Sequence, residues 1–195
     1  MEKTISAPGQ AIFREKMSKF LAFALPVGSA EEAKEVIARY TNEYHDARHV
    51  CWAYMIGADR KTFLSSDNGE PSGTAGRPIL GQINSAGITN VVVVVVRYFG
   101  GIKLGTSGLI AAYREAASLA IAEAPKAECK EMTQLKITFP YLAMNDVMKI
   151  VKANQALTIV EQTFDNSCSL TLSLPLDMLE EISGRLGGVD GTSIV

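Results

Sequence analysis

The first sustained apolar stretch of the chain, Glu15–Val27, contains Lys19-Phe-Leu-Ala-Phe-Ala-Leu25 and predicts a strand. Ser29-Ala-Glu-Glu32 follows as a capping box, in which the serine hydroxyl accepts from an early helix amide and the glutamate reaches back. Ala33, Val36, Ile37, Tyr40 and Tyr44 then recur at helical spacing, which predicts an amphipathic helix to about Tyr44. Val50–Gly57 and Thr62–Ser66 read as strands of a hairpin closed by Ala58-Asp-Arg-Lys61. Asp67–Gly76 is a loop, and Arg77–Ala86 is a helix with Pro78 tolerated in its first turn. Val91–Val96 is six valines without alternation, so it predicts a strand buried on both faces and central in its sheet. A long helix is expected from about Ser107 to Glu123, ended by Pro125.

Lys126–Lys130 is a polar linker and the expected domain boundary, dividing the chain into residues 1–128 and 129–195. Beyond it, strands are predicted at Gln134–Pro140, Leu157–Phe164, Ser167–Leu174 and Thr192–Val195, with the turn Asp165-Asn166 between the second and third. Helices are marked by Met144, Val147, Met148 and Val151, and by Leu176–Leu186. The order β-α-β-β-α-β is the ferredoxin-like arrangement. The fold class is therefore α+β.

Composition narrows the function. The chain of 195 residues is 47% hydrophobic, enough for real cores, and its net charge of −2 excludes a globally basic nucleic-acid binder. The charge is uneven: residues 1–130 carry 15 basic and 13 acidic side chains, against 4 and 8 in 131–195. The local basic excess lies where the glycines cluster, a placement that attracts phosphate. Cys51, Cys129 and Cys168 form no CxxC pair, which argues against a disulfide framework and for a reducing cytoplasm. No signal peptide and no membrane span are expected, since the longest apolar run is Val91–Val96.

Three segments could carry chemistry. Asp67–Gly76 places hydroxyls and glycines before a helix, where free amides and the helix dipole favour an anion. Its candidate contacts are Ser72, Gly73, Thr74, Gly76 and Arg77, with Ser72 or Thr74 also available as a helix cap. Arg97-Tyr-Phe-Gly-Gly-Ile-Lys-Leu-Gly-Thr-Ser-Gly108 joins a buried strand to a helix, a common place for ligands. It is neither a Walker A loop nor a dinucleotide fingerprint, so no nucleotide cofactor is expected. Arg97 and Lys103 could pair with phosphate, Gly100 and Gly101 allow close approach, and Tyr98 or Phe99 either stacks on a base or caps the core. His45-Asp-Ala-Arg-His-Val-Cys51 holds both histidines of the chain. Zinc on His45, His49 and Cys51 would need a fourth ligand, and a Cys51–His49 nucleophile pair would need an orienting group. A small buried thiol beside a hydrogen-bonded histidine is the commoner outcome.

The chain resembles the YigZ/IMPACT family. The resemblance rests on His49-Val-Cys-Trp-Ala-Tyr54, on Ser66-Asp-Asn-Gly-Glu-Pro-Ser-Gly-Thr-Ala-Gly-Arg-Pro-Ile79 and on Val94–Gly108. It implies a first domain like domain 2 of ribosomal protein S5, a second like a C-terminal domain of elongation factor G, and a link to translation. Asn68, Ser107, Ala111 and Val50 depart from residues common in the family at those positions. The expected function is a non-catalytic module that engages RNA phosphate or a ribosome-associated surface, with a protein partner also possible. The alternative is an enzyme acting on a phosphorylated small molecule, with Asp67 or Glu70 as general base.

Overall fold

The computed structural model describes residues 3–165 and 167–195. It divides into two compact units at the Cys129/Lys130 junction. In the first unit, strands β1 (Lys3–Ile5), β2 (Gly9–Glu15) and β3 (Ser18–Pro26) precede helix α1 (Ala30–Glu43). Strands β4 (His49–Ile56) and β5 (Thr62–Ser66), helix α2 (Gly76–Ser85), strand β6 (Val91–Tyr98), helix α3 (Gly105–Glu123) and strand β7 (Lys126–Glu128) complete it. The main sheet has the order β2-β3-β6-β4-β5, with every neighbouring pair antiparallel.

The valine run occupies the centre of this sheet because both its faces are covered. Val91, Val93 and Val95 join the core under α2 and α3, while Val92, Val94 and Val96 join the core under α1. All six are fully buried, and each such side chain contributes on the order of 1.5–3 kcal/mol. Odd-numbered residues of β6 and β4 therefore point one way, and Arg97, His49 and Cys51 continue that face to the end of the sheet.

Two elements differ from expectation. The strand expected over Glu15–Val27 is β3, and the residues before it form a turn at Lys16 and Met17, with φ of 43° and 63°, that joins it in a hairpin to β2, a strand not expected from the sequence. Such a two-residue turn ordinarily carries Asn or Gly, and their absence hid it. The expected linker begins with β7, which pairs antiparallel with β1 through Thr4 and Ala127.

The second unit runs β8 (Met132–Phe139), α4 (Met144–Lys152), β9 (Thr158–Phe164), β10 (Cys168–Pro175), α5 (Leu179–Gly187) and β11 (Ser193–Ile194). Its order β11-β8-β10-β9 with antiparallel neighbours is ferredoxin-like. Leu135, Ile137, Leu170 and Leu172 pack under Val147, Val151, Ile182 and Leu186. The helix expected from Leu176 opens as a 3-10 turn, Leu176–Met178, before α5. Of the expected turn Asp165-Asn166, Asn166 lies outside the described residues.

Candidate functional site

Helix α2 starts without a local cap: Ala75 precedes it and offers no side-chain acceptor. The cap comes from Asp67, whose Oδ1 accepts from the amides of Ala75 at 3.0 Å and Gly76 at 2.8 Å, and whose Oδ2 accepts from Gly73 at 2.8 Å. Burial would raise the carboxyl's pKa, but the amides of Gly73, Gly76 and Ala75 and the charge of Arg77 hold it below the usual value. The anion that this Gly-rich loop gathers is thus the chain's own carboxylate. That revises the sequence expectation of amides open to a ligand phosphate, and it leaves Asp67 unsuited to a general base. Thr74 is buried and donates its hydroxyl to the Pro71 carbonyl, Ser72 is exposed, and neither caps α2.

Holding the loop this way carries Glu70 inward. Its side chain is only 3% exposed, and Oε1 accepts from Arg97 Nη1 at 2.7 Å and from Tyr113 Oη at 2.7 Å. Arg97 is 5% exposed. Its guanidinium lies between Phe20 and Phe99, 5.7 and 5.6 Å from their ring centroids, with Ser18 Oγ 3.5 Å from Nη2. Its Nε is buried and meets no acceptor among the described residues. Arg97 is therefore a structural ion-pair partner rather than the exposed phosphate contact expected from sequence.

His49 sits beside Arg97 in register across β4 and β6. Its Nδ1 lies 2.8 Å from the Asn68 carbonyl, an acceptor, so Nδ1 carries a proton. Its Nε2 faces Glu70 Oε2 at 3.7 Å, a contact that is an ion pair when the ring is protonated. Cys51 is fully buried, and its thiol contacts the Asp67 carbonyl at 3.0 Å and Tyr113 Oη at 3.4 Å. Burial, with Glu70 and Asp67 nearby, pushes its pKa up to about 12, the opposite of what a thiolate nucleophile needs. Burial likewise pushes the Tyr113 hydroxyl up.

His45 stays apart at the end of α1, where Nδ1 meets the Asn42 carbonyl at 3.2 Å. His45, His49 and Cys51 therefore do not form one ligand set. Among the described residues no group of three or more His, Cys, Asp or Glu is placed to hold a metal ion.

The two Gly-rich segments meet. Glu70 and Pro71 from the first, and Phe99 with Lys103–Thr106 from the second, line a cleft of about 490 Å³ with Arg48, His49, Arg97 and Leu109. Lys103 and Arg48 are exposed cations on its wall, and Phe99 is 49% exposed. Gly100 lets this segment lie against the β2–β3 hairpin, since a Cβ there would overlap the main chain of Met17. Its amide donates to Ser18 Oγ at 3.3 Å. Gly101 is exposed with φ of 91°.

Of the residues expected to bind an anion or nucleic acid, Arg97 and Lys103 line the cleft, whereas Ser72, Gly73, Thr74, Gly76, Arg77, Tyr98, Gly100 and Gly101 do not. Tyr98 packs on the α1 face and donates to Asp46 at 2.9 Å. Arg77 borders a separate depression with Gly73 and Arg114. Arg48, Ser18, Phe20 and Tyr113 are site residues that sequence reasoning missed. A tyrosine within the apolar stripe of an Ala-rich helix was the available signal for Tyr113, because a buried hydroxyl needs a partner.

The sequence profile of the Impact N-terminal domain matches residues 16–121, which contain every residue of this cleft. The chain belongs to the IMPACT family. The IMPACT family member YigZ of Escherichia coli is 31% identical over 93% of this chain and 89% of its own. An IMPACT family member of Thermus thermophilus is 39% identical over 81% of this chain and 84% of its own. A crystal structure of a hypothetical protein matches with a TM-score of 0.82 at 29% identity, over 100% of this chain and 97% of that one. The IMPACT fold here is the two-domain α+β arrangement, S5-domain-2-like followed by ferredoxin-like. Among the described residues no helix is long and apolar enough to cross a membrane.

Proposed function

We propose that this IMPACT family member is a translation-linked, non-catalytic module that binds single-stranded RNA, free or on the ribosome, in the cleft of its first unit. The observation that carries the reading is the cleft itself. Exposed Arg48 and Lys103 supply positive charge, the half-exposed Phe99 supplies a stacking surface, and the Glu70–Arg97 pair makes the floor close to neutral. Charge that steers a polyanion therefore comes from the rim and aromatic surface from the wall.

The test is co-sedimentation with ribosomes and with total RNA across a salt series. It compares wild type with Arg48→Ala/Lys103→Ala; Arg97 is left intact because it is buried in an ion pair. Removing two phosphate contacts should lower the slope of log K against log salt by about 1.4. Salt-independent association, or a double variant that binds like wild type, refutes the electrostatic mode.

A second reading has its own support: the Gly-rich segments converge on a desolvated carboxylate, the arrangement an enzyme acting on a phosphorylated small molecule would need. Glu70, not Asp67, would be its base. Thermal stabilisation by a phosphorylated metabolite, in the absence of RNA binding, would select it.

A further inference from the structure

Strand β5 forms one edge of the five-stranded sheet. It pairs with β4 on one side, and among the described residues no strand pairs with it on the other. Such an edge presents a row of open N–H and C=O groups, and proteins ordinarily guard it with charge, proline or a bulge. β5 has none of these. Thr62-Phe-Leu-Ser-Ser66 carries no charge and no proline, and its register with β4 runs without a shift. It also exposes two large apolar side chains, Phe63 at 54% and Leu64 at 49%. The opposite edge, β2, is guarded: its exposed Ile12 shares a face with Gln10 and Arg14.

The sequence of β5 is complementary to itself when two copies run antiparallel about Leu64. Leu64 then lies opposite its own copy, on the face it shares with Tyr54. Phe63 lies opposite Ser65, on the face it shares with Met55, and the two Phe63 side chains stand at diagonal positions about 7–8 Å apart, within aromatic reach. Thr62 lies opposite Ser66, a pair of hydroxyls. Just beyond the strand, Lys61 of each copy meets Asp67 of the other. The Lys61 side chain is 84% exposed and approaches Asp59 only to 3.7 Å, and the Asp67 carboxylate is kept ionised by the amides around it. Attraction between these charges leaves the cap of α2 in place. The neighbouring registers lose this match. Centring on Phe63 sets Leu64 against Thr62 and carries Asp59 toward Asp67, and centring on Ser65 sets Phe63 against Asp67.

We propose that β5 is a self-pairing edge, through which two copies of this chain join their five-stranded sheets antiparallel about Leu64. The contact is one strand pair with two apolar side chains from each copy. That is less than the roughly 1,200–2,000 Å² of stable complexes, so the dimer is weak and reversible, with a Kd of about 10–100 µM. The two-fold axis stands perpendicular to the joined sheet. The α2 and α3 faces of both copies therefore lie on one side, and the two clefts open at opposite ends. The proposal does not depend on what the cleft binds.

Sedimentation velocity of the full chain from about 2 to 200 µM brackets that constant and should show a monomer–dimer equilibrium. Leu64→Lys sets like charges against each other across the axis, at an exposed position, and should raise the Kd at least about tenfold. Ile12→Lys, on the other edge, should leave it unchanged. Trp52 fluorescence during urea unfolding checks that each variant is folded. Disulfide trapping with copper phenanthroline as oxidant reads the register, each yield being taken over wild type with its own partly exposed Cys129. Leu64→Cys should cross-link to itself, since residues directly opposite lie within disulfide reach. Ser65→Cys should not, but should cross-link when mixed with Phe63→Cys. A monomer at every concentration overturns the proposal, as does a dimer that tolerates Leu64→Lys or is lost in folded Ile12→Lys. Cross-linking of Ser65→Cys to itself, without that of Leu64→Cys, overturns the register.

Discussion

Asp67→Asn tests the central local claim, that a carboxylate from the preceding loop caps α2. The side chain keeps its shape and loses its charge and one acceptor. If the amide oxygen stays at Oδ1, it retains Ala75 and Gly76, and the NH₂ is turned toward the Gly73 amide. One charge-assisted hydrogen bond is then replaced by two facing donors, a loss of about 1.5–3 kcal/mol. The negative charge at the helix N-terminus adds about 0.3–1 kcal/mol. The expected cost at pH 7 is about 2–4 kcal/mol. Trp52, the chain's only tryptophan, lies on β4, so urea unfolding followed by its fluorescence reports the unit concerned. The pH dependence carries a sign. The folded carboxyl is held below its ordinary pKa of 3.8, so its stabilisation is present above 3.8 and is lost as pH falls through the lower folded value. Asparagine does not titrate, so the gap between wild type and variant should narrow steadily below pH 3.8. A gap under about 0.5 kcal/mol at pH 7, or one that does not change with acid, refutes the cap.

Two further outcomes are expected. Gly100→Ala should lower the melting temperature more than Gly101→Ala. The first Cβ would overlap the Met17 main chain, costing about 1–3 kcal/mol or more, while the second meets open space and costs only about 1–2 kcal/mol of left-handed strain; the reverse order would refute the close approach. The Cys51 thiol should resist alkylation at pH 8 in the folded protein. Its folded pKa is raised from 9.0 to about 12, so its contribution to stability is intact below pH 9 and is lost as pH rises toward 12. Rapid modification of Cys51 at pH 8 without unfolding would contradict this.

Long-period features were legible in the sequence, and features depending on a single side chain's partner were not. The valine run declared its central position because no other placement buries every residue of a strand. Ser29 capped α1 as expected, accepting from Glu32 at 3.1 Å, because capping boxes are local. The cap of α2 was missed because Asp67 reaches over eight and nine residues, a distance at which spacing rules say nothing. The glycine-rich segments meet, as expected, and the period of the strand decides between the roles open to Tyr98 and removes Arg97 from the surface. Arg97 falls on the odd-numbered face with Glu70, and Tyr98 falls on the other with Asp46. Sequence charge alone gave no sign that Arg97 would be buried. Arg48 went unremarked because it lies outside the glycine clusters and reaches the cleft from the start of β4.

The same contacts explain why a loop so rich in glycine is held so firmly. A loop whose amides were open would have to be ordered by its ligand, and the conformational entropy of ordering would be charged against affinity. Here Asp67 takes the amides, Asn68 holds Val50 and His49, and Cys51 meets the Asp67 carbonyl, so the loop is ordered from within. That order serves Glu70, which projects from the loop's middle onto Arg97 and Tyr113. Burying an ion pair is seldom stabilising against an apolar alternative, since desolvation offsets most of the attraction. A fold that needed only stability would do as well with leucine and methionine at positions 70 and 97. What the pair provides, and an apolar pair would not, is one carboxylate oxygen fixed by two hydrogen bonds and a second held opposite His49 Nε2 at 3.7 Å. The cleft floor is set before any ligand arrives, and that is the condition under which a single hydrogen-bonding group discriminates between otherwise similar partners.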